Sequence, residues 1–447
     1  MLPGDFAIPW GQPPPNANTS NAARRAEDRR SRMFSPRKMF KALSPQQEMR
    51  VYSLADQLGF SLASFVLTLV FIRCYSKEEF AAYGIGLFAA LSLAGMYRVS
   101  FAIPAALWNP QIFTLRQRAV PALHLSVVLT VLVLAVAALF FLTQAVKGST
   151  VYIALGFIAT TTTYLSLDID RVLLFRTRKP SQALAVSGSY SVIIMLASGC
   201  FFLLRPPFTL AMVVLSVLGL CKTTAVALLS GGPDWRHGRL LFQRLIRTTF
   251  GWNTLGNLAS TSFLIVPQWV LGIISTPNEV AGFTAVRTPM QPVMVIIRSL
   301  DVVDKVTSGK LNQRDSSDAI KQHYRRVYWL YVTISMIFCA AILIFADPVV
   351  NFVLGARYSG FVWTLRVTAI LLMFTATAAP LETVVYQQMA YRSYAIAQLI
   401  GGAVGAACAF PLAKEFGASG AVTASILGWG VPYTYLLRKF AAATRKS

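Results

Sequence analysis

A dozen apolar stretches, most of them near twenty residues long, follow one another along this chain. An α-helix needs about 20 apolar residues to cross about 30 Å of hydrocarbon, so most of these stretches have the length of one crossing. In hydrocarbon every backbone amide must find its partner inside the protein, which makes such segments helices and not isolated strands. Hydropathy sets the expected spans at 53–73, 80–107, 120–146, 150–168, 182–204, 208–229, 251–274, 280–303, 327–346, 361–379, 394–413 and 419–437. Charged residues are only 13% of the chain, against about 25% in a soluble domain. The fold class is therefore an all-α polytopic membrane protein with about 12 transmembrane helices.

The net charge of +23 raises the question of nucleic acid, and the distribution of the charge answers it. With the N-terminus inside, 30 of the 41 Lys and Arg residues fall in the tail, the inner loops and the C-terminus. Six (Arg73, Lys77, Lys147, Arg205, Arg357 and Lys414) fall outside, and five lie within spans. That asymmetry is the positive-inside pattern and places both termini in the cytoplasm. No basic face of a soluble domain remains for nucleic acid. The outer loops are short, and the longest, 347–360, is too small for a folded catalytic domain.

Residues 1–43 read as a disordered, basic, Pro-rich cytoplasmic tail, suited to anionic membrane lipids. "SPQQE" then has the form of a capping box, with Ser44 as N-cap, Pro45 at N1 and Gln47 at N3. Residues 44–230 and 251–440 would form two six-helix lobes, joined by a basic cytoplasmic linker at 231–250. The five cysteines (Cys74, Cys200, Cys221, Cys339, Cys408) are scattered singly, and so are His124, His237 and His323. With no CxxC and no metal spacing, neither a metal nor a cofactor is expected.

The two halves share a faint repeat. At an offset of 200, "EEFAAYG" (78–84) lies over "NEVAGFT" (278–284), and Arg98 lies over Arg298. Both pairs fall in the second span of a half with six spans. Six is even, so the halves would cross the membrane in the same orientation, as parallel repeats about an axis along the membrane normal.

The stretch "ADQLGFSLASFVLTLVFIRCYSKEEFAAYGIGLF" (55–88) carries a resemblance to a known group. Asp56-Gln57, Ser64-Phe65, Arg73, Glu79-Phe80, Tyr83, Arg98 and Pro104 are similar to the multidrug/oligosaccharidyl-lipid/polysaccharide (MOP) exporter superfamily, in its Wzx-type flippase branch. The resemblance implies the two-lobed fold of that superfamily, which includes the MATE transporters. It also implies export of a lipid-linked oligosaccharide across a bacterial inner membrane, alone or beside polysaccharide polymerase and export machinery. The basic tail is longer than this group usually has.

Five cations fall within spans: Arg98, Lys222, Arg287, Arg298 and Arg366. A charge at the bilayer centre costs at least ~2.5–3.5 kcal/mol on insertion scales, so each needs a partner, water or a task. Arg98 lies about 27 Å along its helix from Phe80, near the inner interface, where it can snorkel, pair with Asp56 or meet a phosphate. Arg298 has the same depth, with Asp301 one turn on. Lys222, Arg287 and Arg366 lie deeper or in the outer half. Facing one aqueous cavity, the five would suit an anionic headgroup. Asp56 and Glu382 are candidates for a coupling proton or sodium ion, or for a structural network. "RTPMQPVM" (287–294) and "TAAPLETVVYQQ" (377–388) carry prolines that signal broken helices. "GGAVG" (401–405) and "GASGA" (417–421) read as close helix packing.

The leading function is a flippase for an undecaprenyl-pyrophosphate-linked repeat unit, working by alternating access for exopolysaccharide or O-antigen synthesis. A MATE-like cation or drug antiporter is the nearest rival, although cations outnumber acids in the spans. A membrane enzyme would want a large outer loop. A structural subunit of an export complex is the remaining reading.

Overall fold

The computed structural model describes residues 45–97, 119–145, 149–176, 180–229, 233–249, 252–297, 300, 301, 304, 308, 317–388 and 390–444. The chain divides into two units, Met1–Val51 and Tyr52–Ser447. Of the first, residues 45–51 are described, and they are helical. Residues 1–44 and 98–118, and with them the tail, Ser44 and Arg98, as well as Arg298, lie outside the described residues.

The described residues are helical or join helices. The N-terminal half carries α1 (Pro45–Cys74), α2 (Lys77–Tyr97), α3 (Ala119–Ala145), α4 (Ser149–Arg176), α5 (Pro180–Leu204) and α6 (Phe208–Leu229). After α7 (Trp235–Thr249) come α8 (Trp252–Ile274) and α9 (Pro277–Ala285). Then follow α10 (Ser317–Val349), α11 (Val362–Gln387) and α12 (Tyr391–Thr444). Among the described residues, 8 helices are long and apolar enough to cross a membrane, and shorter apolar helices cover Ala119–Thr130, Val151–Tyr164 and Thr261–Ile274.

Large apolar side chains face outward along these helices: Leu203, Ile273, Ile344 and Phe352 are each more than two-thirds exposed. A soluble protein rarely shows apolar surface on that scale, whereas lipid covers it at no cost. Inside, backbone-to-backbone approach replaces the water-driven core. A Cβ at Gly156 would lie 3.1 Å from the Tyr83 Cα, and one at Gly219 2.8 Å from the Thr162 carbonyl carbon. Small residues at such crossings are how membrane helices gain dispersion contact. Gly402 and Gly405 do the same between α8 and the two arms of α12, so "GGAVG" is a packing string as expected.

"GASGA" is different. At Gly417 the backbone takes φ 56 and ψ −134, and α12 folds back there into two arms of membrane length. Its first three residues form a hairpin bend and not a packing face. The Glu279 carboxylate accepts the Ala418 amide at 2.7 Å, supplying the partner that the bend removes.

The two proline signals also part ways. α9 stops at Ala285, turns at 286–287, tightens into a 3₁₀ turn at Thr288–Met290 and resumes helix at 291–297. α11 runs through Pro380 as continuous helix from Val362 to Gln387. The expected break at 377–388 is absent because the carbonyls freed by one proline do not end a helix held by neighbours. α10 carries its own irregularity: a non-helical Phe345, then a π turn at Val350–Leu354 and Gly355 at φ 98.

Candidate functional site

Residues at four-residue spacing share one helix face, and on α1 that spacing runs Asp56, Phe60, Ser64. This face is buried against α4 and α5. Asp56 is 3% exposed. The Phe60 ring stacks on Tyr190 at 6.4 Å and meets the edge of Tyr164 at 5.5 Å. The Ser64 and Tyr164 hydroxyls share a hydrogen bond of 2.5 Å. Tyr190 donates to Thr163 Oγ1 at 3.2 Å, and Lys222 Nζ lies 5.0 Å over the Tyr190 ring. A small cavity lies beside them, lined by Phe60, Ser64, Tyr83, Thr160, Thr163 and Tyr164.

Lys222 is 6% exposed although it lies mid-helix in α6. The aromatic face of Tyr190 accepts part of its charge, an interaction worth ~0.5–2 kcal/mol. Nearby, Tyr97 OH and His124 Nδ1 are 3.0 Å apart, and both residues are buried. The N-terminal half therefore holds a lysine, a carboxylate, a histidine and several hydroxyls out of water. Such a set can hold an anion or carry a proton.

A second feature lies where the halves of the chain meet. α2 packs against α8 and α9. A Cβ on Gly84 would overlap Thr284 Oγ1 and lie 2.8 Å from its Cγ2. Gln268 of α8 donates to that Thr284 hydroxyl at 3.2 Å. At the break after α9, the Arg287 guanidinium lies 4.3 Å over the Phe88 ring and 5.7 Å from Phe283. Arg287 Nη1 is buried without a hydrogen-bond partner. This cation is held by two aromatic faces and spanned by the seam.

Above it the seam is laced by polar contacts. Lys77 Nζ donates to Asn278 Oδ1 at 2.6 Å, and Arg357 Nη1 to the Tyr75 carbonyl at 2.8 Å. Arg73 donates to the carbonyls of Phe352 and Val353. The Phe80 and Tyr358 rings meet edge to face at 6.4 Å.

The remaining candidates stand apart. Arg366 Nη2 pairs with Asp347 Oδ2 at 2.9 Å, and Asp347 is 62% exposed. Glu382 Oε1 accepts the Tyr394 hydroxyl at 2.6 Å. Arg366 and Glu382 share α11 but lie about 24 Å apart along it. Of the seven candidates, the structure places Lys222 over Tyr190, in the cluster that Phe60 joins one turn from buried Asp56, and sets Arg287 at the seam. Sequence reading missed Tyr190, Phe88, Phe283, Asp347 and Tyr394. Aromatic residues are common in spans, and no local pattern marks the ones that face a cation. Among the described residues no group of three or more His, Cys, Asp or Glu could hold a metal.

The sequence profile of a family described as "Polysaccharide biosynthesis protein" matches residues 293–428. No curated protein sequence gives a match. The fold is similar to the lipid II flippase MurJ in an inward closed conformation, with TM-score 0.64, 12% identity, 88% of this chain and 90% of that one covered. It is similar to a MATE family multidrug resistance transporter of the MOP superfamily in an inward-facing conformation, with TM-score 0.59, 15% identity and 89% and 96% covered. A Vibrio cholerae MATE transporter gives TM-score 0.56, 14% identity and 90% and 96% covered. The likeness in fold thus covers about nine-tenths of the chain.

Proposed function

We propose that this chain is a membrane transporter of the flippase kind, and not an enzyme. Its cargo is a lipid-linked oligosaccharide whose pyrophosphate is drawn to cations inside the membrane. The observation that carries this reading is the pair of cations within spans, buried Lys222 over Tyr190 and half-buried Arg287 between Phe88 and Phe283. The likeness in fold to MurJ and the polysaccharide biosynthesis profile over 293–428 support the substrate class.

In this reading residues 44–230 and 251–440 are two six-helix lobes, both termini are cytoplasmic, and the seam of Lys77, Asn278, Arg73 and Arg357 closes the outer face. The substrate would enter from the inner leaflet of a bacterial inner membrane. Arg98 and Arg298 would meet the pyrophosphate first, and Lys222 and Arg287 would hold it deeper. Arg366, already paired with Asp347, would act at the outer rim. Asp56 and Glu382 are proposed for a coupling proton or sodium ion. Export machinery and, for the tail, anionic lipid are proposed partners.

Reconstitution in vesicles with a fluorescent undecaprenyl-pyrophosphate oligosaccharide tests this. The expected result is exposure on the opposite leaflet, reduced at least about tenfold in a Lys222→Met/Arg287→Met protein, a loss of ~1.4 kcal/mol or more in barrier terms. Export of organic cations with no movement of the lipid would favour the antiporter reading instead.

A further inference from the structure

The helix that joins the two halves, α7, is amphipathic in a way that transport chemistry does not require. It holds Arg236, Arg239, Arg244 and Arg247, with no acidic residue among its fifteen. On a 100° wheel Gly238 and Leu241 share one arc, and Arg236 and Arg239 lie on the opposite side of the helix. The packed arc is visible in the structure. A Cβ on Gly238 would lie 2.9 Å from the Ala122 Cβ and 3.1 Å from the Leu123 amide nitrogen. Leu241 is 4% exposed and packs in a cluster with Tyr97, Ala119, Leu123 and Val226. α7 is thereby fixed against the start of α3. Asp234 sets its first turn, accepting the His237 amide at 3.1 Å and its Nδ1 at 2.7 Å.

What faces away from α3 is a ring of interfacial chemistry. Trp235 is 52% and Leu240 58% exposed, and Arg236 and Arg239 are exposed beside them. α7 also connects two membrane-length helices, the end of α6 at Leu229 and the start of α8 at Trp252. A helix so tethered stays within a few residues of the membrane surface. An exposed Trp among arginines, fixed at that level, is the pattern of a helix that sits in the headgroup layer.

We infer that the exposed face of α7 is a binding surface for anionic phospholipid headgroups, and that the strap between the two halves is held to the membrane by charge. The occupant follows from complementarity: the exposed face offers the Arg236 and Arg239 guanidinium groups and no carboxylate of its own helix, and the nearest abundant anions are lipid phosphates. Each contacting Arg is worth ~1 kcal/mol near such a surface, and falls away with salt.

The whole protein in nanodiscs tests this through Trp235. Fluorescence of wild type minus that of Trp235→Phe isolates the signal of this residue. Brominated phosphatidylglycerol should quench that difference at least about twofold more than brominated phosphatidylcholine at equal mole fraction. An Arg236→Gln/Arg239→Gln protein, altered only at exposed positions, should lose the preference, as should wild type in high salt. Equal quenching by both lipids would overturn the inference, since the helix would then lie in lipid without recognising charge. Absence of quenching by either would overturn it too, because the face would then be in water or under another protein.

Discussion

Gly84 of α2 and Thr284 of α9, 200 positions apart in the chain, meet at the crossing of their helices so closely that no Cβ fits between them. Thr284 is pinned from behind: its hydroxyl donates to the Val280 carbonyl at 2.9 Å and accepts from Gln268. Phe88 and Phe283 approach at 6.5 Å across the same crossing. One pair at equivalent positions of the offset repeat is thus in direct contact.

Gly84→Ala should therefore cost about 1–3 kcal/mol, the range for overpacking a filled contact. Thr284→Ala in the same protein should return most of that loss, because it removes the atoms in the way. Thermal unfolding of the four proteins of this cycle in detergent gives the coupling. Independent effects at the two positions would mean that the crossing opens freely.

Arg287→Met should separate stability from transport. Removing the charge relieves an insertion cost of ~2.5–3.5 kcal/mol and forfeits a cation–π contact of ~0.5–2 kcal/mol. The variant should be at least as stable as wild type in an unfolding assay while losing most lipid translocation. A clear drop in stability with transport intact would make Arg287 a structural clasp between Phe88 and Phe283.

Arg366 and Asp347 should show the opposite balance. Their ion pair is partly exposed, and such pairs contribute roughly 0–1 kcal/mol. A double-mutant cycle with Arg366→Gln and Asp347→Asn is expected to give a coupling below about 1 kcal/mol. Translocation that falls in Arg366→Gln but not in Asp347→Asn would give the arginine a substrate role beyond the pair.

Gly417→Ala should be harmful whatever its surroundings. At φ 56 and ψ −134 an L side chain is strained, and its Cβ would lie 2.9 Å from the Glu279 Cδ. Strain of this kind costs ~1–3 kcal/mol. Glu279→Gln keeps an acceptor for the Ala418 amide and should be milder than Glu279→Ala. Melting temperatures of the three variants rank the effects.

Acid should loosen the first turn of α7. The His237 amide and side chain hold the Asp234 carboxyl below its ordinary value of 3.8. A carboxyl lowered in the folded state contributes stability above the unfolded value, and loses it as pH falls through the folded one. Protection of the His237 amide from exchange should hold from neutral pH to about 4 and fall below that. In Asp234→Asn that step should vanish.

Much of the fold was legible in the chain because spans are a local property. Twenty apolar residues commit a segment to helix and to lipid, and the bend between 413 and 419 and the break at Pro289 fall where the expected spans end or carry prolines. The offset repeat was legible for a related reason: α2 and α9 each begin after a short turn and carry a glutamate at the same place, Glu79 and Glu279. Pro380 misled, since a proline reports a lost amide but not whether neighbours hold the helix together.

The charges were legible as a problem and not as an answer. Sequence identifies Lys222, Arg287 and Arg366 as cations inside apolar stretches, because cost depends on depth and depth can be counted. Their partners come from elsewhere in the chain: Tyr190 lies 32 residues before Lys222, and Phe88 lies 199 before Arg287. Asp347 sits across an irregular π and 3₁₀ turn from Arg366. Hydropathy is summed along one helix, while the face that a side chain turns to a neighbour is set by how helices cross. The sequence alone determined that this chain is a bundle of membrane helices with charge inside it. Tertiary packing decided that one cation rests on an aromatic ring, one lies in the seam between Phe88 and Phe283 and one is tied to Asp347.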